Sequence, residues 1–206
     1  MAIVERNVCG PGQAAALKSM FMARKRVFVD LLRWDVPVID GRFEIDQFDD
    51  PSAVYILIVD PDGGHLGSAR LLETTKPHIL ASLFPQLCEG AVPSGPDMLE
   101  ITRFCLDPRL GASARLNVRN RLVSALVAHA LASGIRTYTG VAELAWLQQI
   151  LAFGWDCQPL GSPQRVGGKQ LGALAIAIGP ETPALLARNG LWVEETLAPA
   201  TLSKAA

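Results

Sequence analysis

The order of apolar periods along this chain predicts an α/β domain of three layers, with helices covering a mixed central sheet. Three observations carry the prediction. An early amphipathic period is followed by an antiparallel meander of strand-like runs, and the later half alternates strand, helix, strand, helix and strand. Half of the 206 residues are hydrophobic and only 19% are charged, which supplies a full core and argues against general disorder. The 14 prolines and 18 glycines punctuate the periods and imply substantial loops.

Taken in order, AIVERNV reads as a short first strand ended by GPG. From 13 to about 30, Leu17, Met20, Phe21, Arg24, Val27, Phe28 and then Leu31 recur at spacings of three and four, the mark of an amphipathic helix. Residues 32–50 mix charge, proline and glycine without a period and read as a long loop. AVYILIVD, the PDGG turn and HLGSARLLETT read as two antiparallel strands. KPHILASLFPQL holds a short helix, CEGAVPSGPD a surface loop, and MLEITRFCLD a third strand. The clearest helix is 117–133, where Leu122, Leu126 and Leu131 mark a buried stripe and Gly134 stops the helix. IRTYTGVA gives another strand, AELAWLQQILAFG a helix ending at Gly154, and KQLGALAIAI a last strand. Residues 1–199 are expected to form one domain and 200–206 a flexible tail.

A formal charge of -1 argues against a general binder of nucleic acid or anionic membrane. The amino terminus lacks the long apolar stretch of a signal peptide, and LGALAIAIG falls far short of the roughly 20 residues a membrane helix needs. A cytoplasmic protein without stable membrane insertion is expected. Cys9, Cys88, Cys105 and Cys157 lack CxxC spacing and read as reduced thiols, not as a zinc site or disulfide frame. His65 and His78 are expected at the surface and His129 on a core helix, with no metal cluster among them.

The chemistry concentrates before and inside the meander. EIDQFDD, at 44–50, places four acidic side chains around Phe48, directly ahead of the apolar AVYILIVD. Asp46 and Asp49 can divide two tasks, one accepting hydrogen bonds from a cationic ligand and the other pairing with an arginine such as Arg70. Arg24 lies on or beside an apolar helix face, where a guanidinium must reach water or a counter-charge. Glu100 and Arg103 share a strand at i and i+3, which sends them to opposite faces unless a bulge intervenes. A plain surface salt-bridge network, with Trp34 and Phe48 anchoring the loop, fits the same residues.

The ordered set Arg24, Phe28 and Trp34 in RKRVFVDLLRW, Asp46 and Asp49 in EIDQFD, Arg70 in GSARLLETT, Phe84 in SLFPQL, and Glu100 and Arg103 in LEITRFCLD resembles the acyl-homoserine-lactone synthases, the autoinducer synthases of bacterial quorum sensing. The resemblance covers about 80 residues strongly and continues more weakly to GWDCQPLG. It implies a GNAT-like fold and transfer of an acyl group from acyl-CoA or acyl carrier protein to the amine of S-adenosylmethionine. Lactone closure then releases methylthioadenosine. It implies no prosthetic group. Under the resemblance, Glu100 is the leading base, Asp46 orients the amine, Arg70 holds Asp49, and Arg24 and Arg103 pair with a ligand carboxylate or with the acids. Phe28 and Trp34 wall the sulfonium. Two departures stand out: Glu73 replaces the usual proline after the double leucine, and Cys105 replaces an aromatic.

Arg109, Arg115, Arg119 and Arg121 form a basic stretch that suits a solvated face, an acidic carrier protein or coenzyme A phosphates. Met98, Thr102, Phe104, Thr139, Leu144, Trp146 and Leu147 are candidates to line an acyl pocket, Trp146 being equally suited to the core. A GNAT-type N-acyltransferase for another amine is the nearest alternative, although RLGASA misplaces a glycine of the usual pyrophosphate loop. A ligand-binding domain without turnover is the other.

Overall fold

A computed structural model describes residues 1–6, 11–194 and 197–199. Its elements in chain order are β1 (Ala2–Arg6), α1 (Pro11–Arg24), a π-helical turn (Lys25–Leu31), β2 (Val38–Ile39), β3 (Phe43–Glu44), β4 (Val54–Val59), β5 (His65–Glu73), α2 (Ile79–Leu83) and a 3₁₀ turn (Pro85–Leu87). They continue with β6 (Met98–Leu106), α3 (Ala112–Ser133), β7 (Thr137–Glu143), α4 (Leu144–Leu151), β8 (Cys157–Pro159), β9 (Gln164–Val166), β10 (Lys169–Ala177), α5 (Thr182–Arg188) and β11 (Leu197–Pro199). The result is a mixed α/β fold with a central, mostly antiparallel sheet flanked by helices.

The described residues pack as two compact units: those within 1–70, 103–125 and 194–199, and those within 71–102 and 126–193. In the first, β4 is buried along its whole length between β1 and β5, which explains its unbroken run of apolar and β-branched residues. β1 runs antiparallel to β4 and parallel to β11. Val27, Phe28 and Cys105 form a buried cluster with Trp34 and Val36 packed on it. In the second, β6 pairs in parallel with β7, from Met98 opposite Thr137 to Ile101 opposite Gly140. β7 pairs antiparallel with β10 over its whole length. Leu80, Leu87 and Ala173 are the buried centre of a cluster that includes Phe84 and Val141.

Several expectations are corrected. The single helix expected over 13–30 becomes α1 followed by the π-helical turn, in which the amide of Leu32 reaches the carbonyl of Val27. The wider turn shifts the phase of the stripe, so Leu31, expected on the apolar face, is 60% exposed. The loop expected at 32–50 contains the hairpin β2–β3. The long helix begins at Ala112, ahead of the apolar stripe, and stops at Gly134 with φ +70. Short strands β8, β9 and β11 and helix α5 have too few residues to show a period. His65 and His78 are buried, because each ring finds a polar partner: Ser68 Oγ at 2.9 Å and the Lys76 carbonyl at 2.8 Å. The expectations for Cys9 and for the tail 200–206 lie outside the described residues. None of the described helices is long and apolar enough to cross a membrane.

Candidate active site

Four segments of the first unit deliver charge to one place. Arg24 ends α1, the stretch after β3 carries Asp46 and Asp49, and the neighbouring strands β5 and β6 bring Arg70 and Arg103. Arg24 is only 1% exposed. Its Nε donates to Glu44, while Nη1 and Nη2 donate to the two oxygens of Asp49 at 2.8 and 2.9 Å. The snorkelling alternative for Arg24 is therefore set aside: the guanidinium is buried and matched by carboxylates.

Arg70 grips Asp46 with both terminal nitrogens, at 2.6 and 3.1 Å, and lies 2.8 Å from Asp49. It holds both aspartates and not Asp49 alone. Arg103 donates to Glu44 through Nε and Nη2 at 3.0 and 2.9 Å and to Asp46 at 2.7 Å. Three carboxylates, Glu44, Asp46 and Asp49, thus face three guanidiniums, Arg24, Arg70 and Arg103, and the network closes at zero formal charge. Burial alone would raise the Asp49 carboxyl, but the hydrogen bonds and charge of Arg24, with the charge of Arg70, hold it well below the usual carboxylate range.

Glu44 is the participant that sequence reasoning passed over. Its side chain is fully buried and bridges two arginines. Glu100, the third carboxylate chosen with Asp46 and Asp49, is spent on backbone amides, and the same acidic stretch that holds the two aspartates offers the carboxylate that matches the third arginine.

Phe28 and Trp34 lie together. Phe28, in the π-helical turn, stacks on Trp34 with centroids 4.7 Å apart and planes at 29°. The cation facing both rings is Arg103, with Cζ 5.5 Å from the Phe28 centroid and 5.8 Å from that of Trp34. Arg103 reaches these partners from a left-handed backbone, φ +51, that interrupts the regular alternation of β6. The side chains nearest solvent in the network are Arg103, 9% exposed, and Asp46, 5% exposed. Glu44, Asp49 and Arg70 are closed off.

In the second unit, Glu100 is fully buried on β6, and its two carboxylate oxygens accept the amides of Ile79 and Leu80 at 2.8 and 2.9 Å. These are the first two amides of α2, so Glu100 does for this short helix what an N-cap side chain does. Phe84 ends α2 and packs into the Leu80–Leu87–Ala173 cluster. Among the acyl-pocket candidates, Met98 lines a cleft of about 270 Å³ with Pro93, Thr137, Asp156, Gln158, Leu160, Ala175 and Ala177. Thr139 and Leu147 are buried, and Trp146 meets Phe153 edge-on at 5.8 Å.

The basic stretch is partly occupied by its own neighbours. Arg109 pairs with Asp107 at 2.7 Å although 73% exposed, Arg115 reaches the Pro108 carbonyl at 3.1 Å, and Arg119 reaches Asn120 at 2.9 Å. Burial pushes the Cys105 thiol up to about 12, which removes it as a nucleophile. Among the described residues no group of His, Cys, Asp and Glu is placed to hold a metal.

A mixed sheet flanked by helices, here carrying a buried charge-balanced network beside a stacked aromatic pair, is a fold of the GNAT-like class. A protein of Lactobacillus plantarum named as an N-acetyltransferase shares this fold, with a TM-score of 0.57 at 15% identity, covering 87% of this chain and 98% of its own. The likeness is much greater to a CoA-dependent acyl-homoserine lactone synthase, BjaI, whose structure holds SAM and isopentyl-CoA: TM-score 0.84 at 27% identity, covering 97% and 92% of the two chains. The acyl-homoserine-lactone synthase of Ralstonia nicotianae is 34% identical over 177 residues, which span 82% of this chain and 86% of that one. The autoinducer synthase family matches residues 12–182, and the chain belongs to that family.

Proposed function

We propose that this protein is an acyl-homoserine-lactone synthase acting in the cytoplasm, with residues 1–199 as its catalytic domain. It takes S-adenosylmethionine and an acyl thioester. The α-amine nitrogen attacks the thioester carbon, the carbon–sulfur bond breaks, and the thiol of the donor leaves. The methionyl carboxylate then attacks its own γ carbon, the bond to the sulfonium sulfur breaks, and methylthioadenosine leaves as the lactone closes.

The observation that carries this reading is the neutral network of Glu44, Asp46, Asp49, Arg24, Arg70 and Arg103 beside Phe28 and Trp34, in a chain of the autoinducer synthase family. S-adenosylmethionine carries a sulfonium, an amine and a carboxylate within a few bonds. It needs both signs of charge at fixed places, and a site that is already balanced supplies them with little reorganisation. Asp46 and Arg103, the members nearest solvent, are the ones that meet the amine and the carboxylate. Arg24, Asp49, Arg70 and Glu44 hold them in place from behind. Phe28 and Trp34 face the sulfonium. Glu100, fixed by two amides, takes the amine proton. Phe84 supports the helix that supplies those amides.

The donor is an acyl-CoA, supported by the close fold match to a CoA-dependent synthase. An acyl carrier protein docked on Arg109, Arg115, Arg119 and Arg121 is the second reading, favoured by the charge of that stretch. The deciding experiment incubates purified protein with S-adenosylmethionine and paired donors, hexanoyl-CoA and hexanoyl carrier protein, and follows methylthioadenosine. Release with one donor names the carrier; acyl transfer without methylthioadenosine would overturn lactone synthesis in favour of a plain N-acyltransferase.

A further inference from the structure

Beneath the network lie two aromatic side chains that no motif singles out. Tyr55, on β4, is fully buried and donates its phenolic hydrogen to Asp49 Oδ1 at 2.9 Å. The same oxygen accepts from Arg24 Nη1 at 2.8 Å and lies 2.8 Å from Arg70 Nη1. The other oxygen of Asp49 accepts from Arg24 Nη2 at 2.9 Å and from the backbone amide of Asp46 at 2.9 Å. The Tyr55 ring meets Phe21 edge-on at 5.9 Å, and the Arg24 guanidinium sits 5.1 Å above that same Phe21 ring. Tyr55 therefore touches Asp49 directly, and Arg24 through Phe21.

A phenylalanine would fill this volume without a polar atom to desolvate, so a buried phenol here has a purpose only through its hydroxyl. Burial and the adjacent Asp49 charge both raise the phenol above its ordinary value, so it remains a proton donor at every working pH. Carboxylate rotation is soft, because an sp³–sp² torsion has broad wells. With the phenol on Oδ1, rotation of Asp49 breaks that bond, and Oδ2 stays on the amide that opens the Asp46 turn.

We propose that Tyr55 is a positioning residue for the S-adenosylmethionine subsite, locking Asp49 so that Asp46 is presented at a fixed angle to the substrate amine. The inference rests on the reading above, in which Asp46 meets that amine. Tyr55 touches no substrate. Its influence passes through Asp49 and the Asp46 amide.

The test is Tyr55→Phe in the full chain, read by calorimetric binding of S-adenosylmethionine and by steady-state kinetics of methylthioadenosine release. The expected result is a rise of about tenfold in both Kd and KM for S-adenosylmethionine, the scale of one hydrogen bond to a charged acceptor. KM for the acyl donor stays unchanged and kcat falls by no more than about twofold. On an Asp49→Asn background the same substitution has little further effect, since the two groups act as one unit. Unchanged binding and KM in Tyr55→Phe would overturn the inference, as would a fall in Tm with both KM values moving together, which marks a packing role alone. Wild-type protein that releases no methylthioadenosine removes the lactone-synthase reading, while calorimetry still decides on Tyr55. Wild-type release with an unaltered Tyr55→Phe removes this inference alone.

Discussion

Glu100 is a structural carboxylate to which the proposed reaction gives a second task. Its oxygens hold the first amides of α2, so Glu100→Gln leaves one backbone amide facing an NH₂ group and costs about 1–3 kcal/mol of stability. If it also takes the proton of the substrate amine, single-turnover acylation falls about a hundredfold or more while donor binding is kept. Rapid-quench measurement of acyl transfer, made below the variant's melting range, distinguishes the two effects. An unchanged acylation rate would leave Glu100 as a cap and nothing more.

For the elements, the informative piece is the hairpin β2–β3. It has only two residues per strand and is held to α1 by Glu44, which joins Arg24 to Arg103. Replacing Glu44 by Gln leaves two guanidiniums short of a buried counter-charge, at a cost of about 3 kcal/mol. The urea midpoint is expected to fall accordingly, and proteolysis near the hairpin to accelerate; an unaltered midpoint would mean that the remaining carboxylates rebalance the site. The hairpin was hidden in the sequence because two-residue strands show no alternation, and the π-helical turn because its spacings of three and four also suit an α-helix. By contrast β4, β5, β6 and β10 were legible, each being a run of six to nine residues with turn residues outside it.

For the whole molecule, His65 adds a pH dependence unrelated to catalysis. Burial pulls it down to about 4 from 6.5, the nearby Asp107 opposing and Arg26 and Arg109 assisting, while its ring bonds Ser68. The folded state refuses a proton that the unfolded chain accepts below about pH 6.5, so stability is full above that value and falls as the pH drops toward 4. About 2 kcal/mol is expected to disappear between pH 7 and pH 5, and His65→Gln should flatten that slope in denaturant titrations. Parallel slopes in the two proteins would assign the loss to other groups. Neither the burial of His65 nor the role of Glu44 could be read from composition, since both depend on which distant side chains a sheet brings alongside. Glu44 apart, the charged residues of the network were recognisable in advance because their types and order carry the family resemblance, whereas Tyr55 looked like one more apolar position of a central strand.

Arg103 holds its guanidinium in the network from a backbone shape that favours glycine or asparagine. A library of variants screened only for heat resistance would be drawn to relax that single kink, and its hardiest members would be the ones in which residue 103 no longer reaches Glu44 and Asp46.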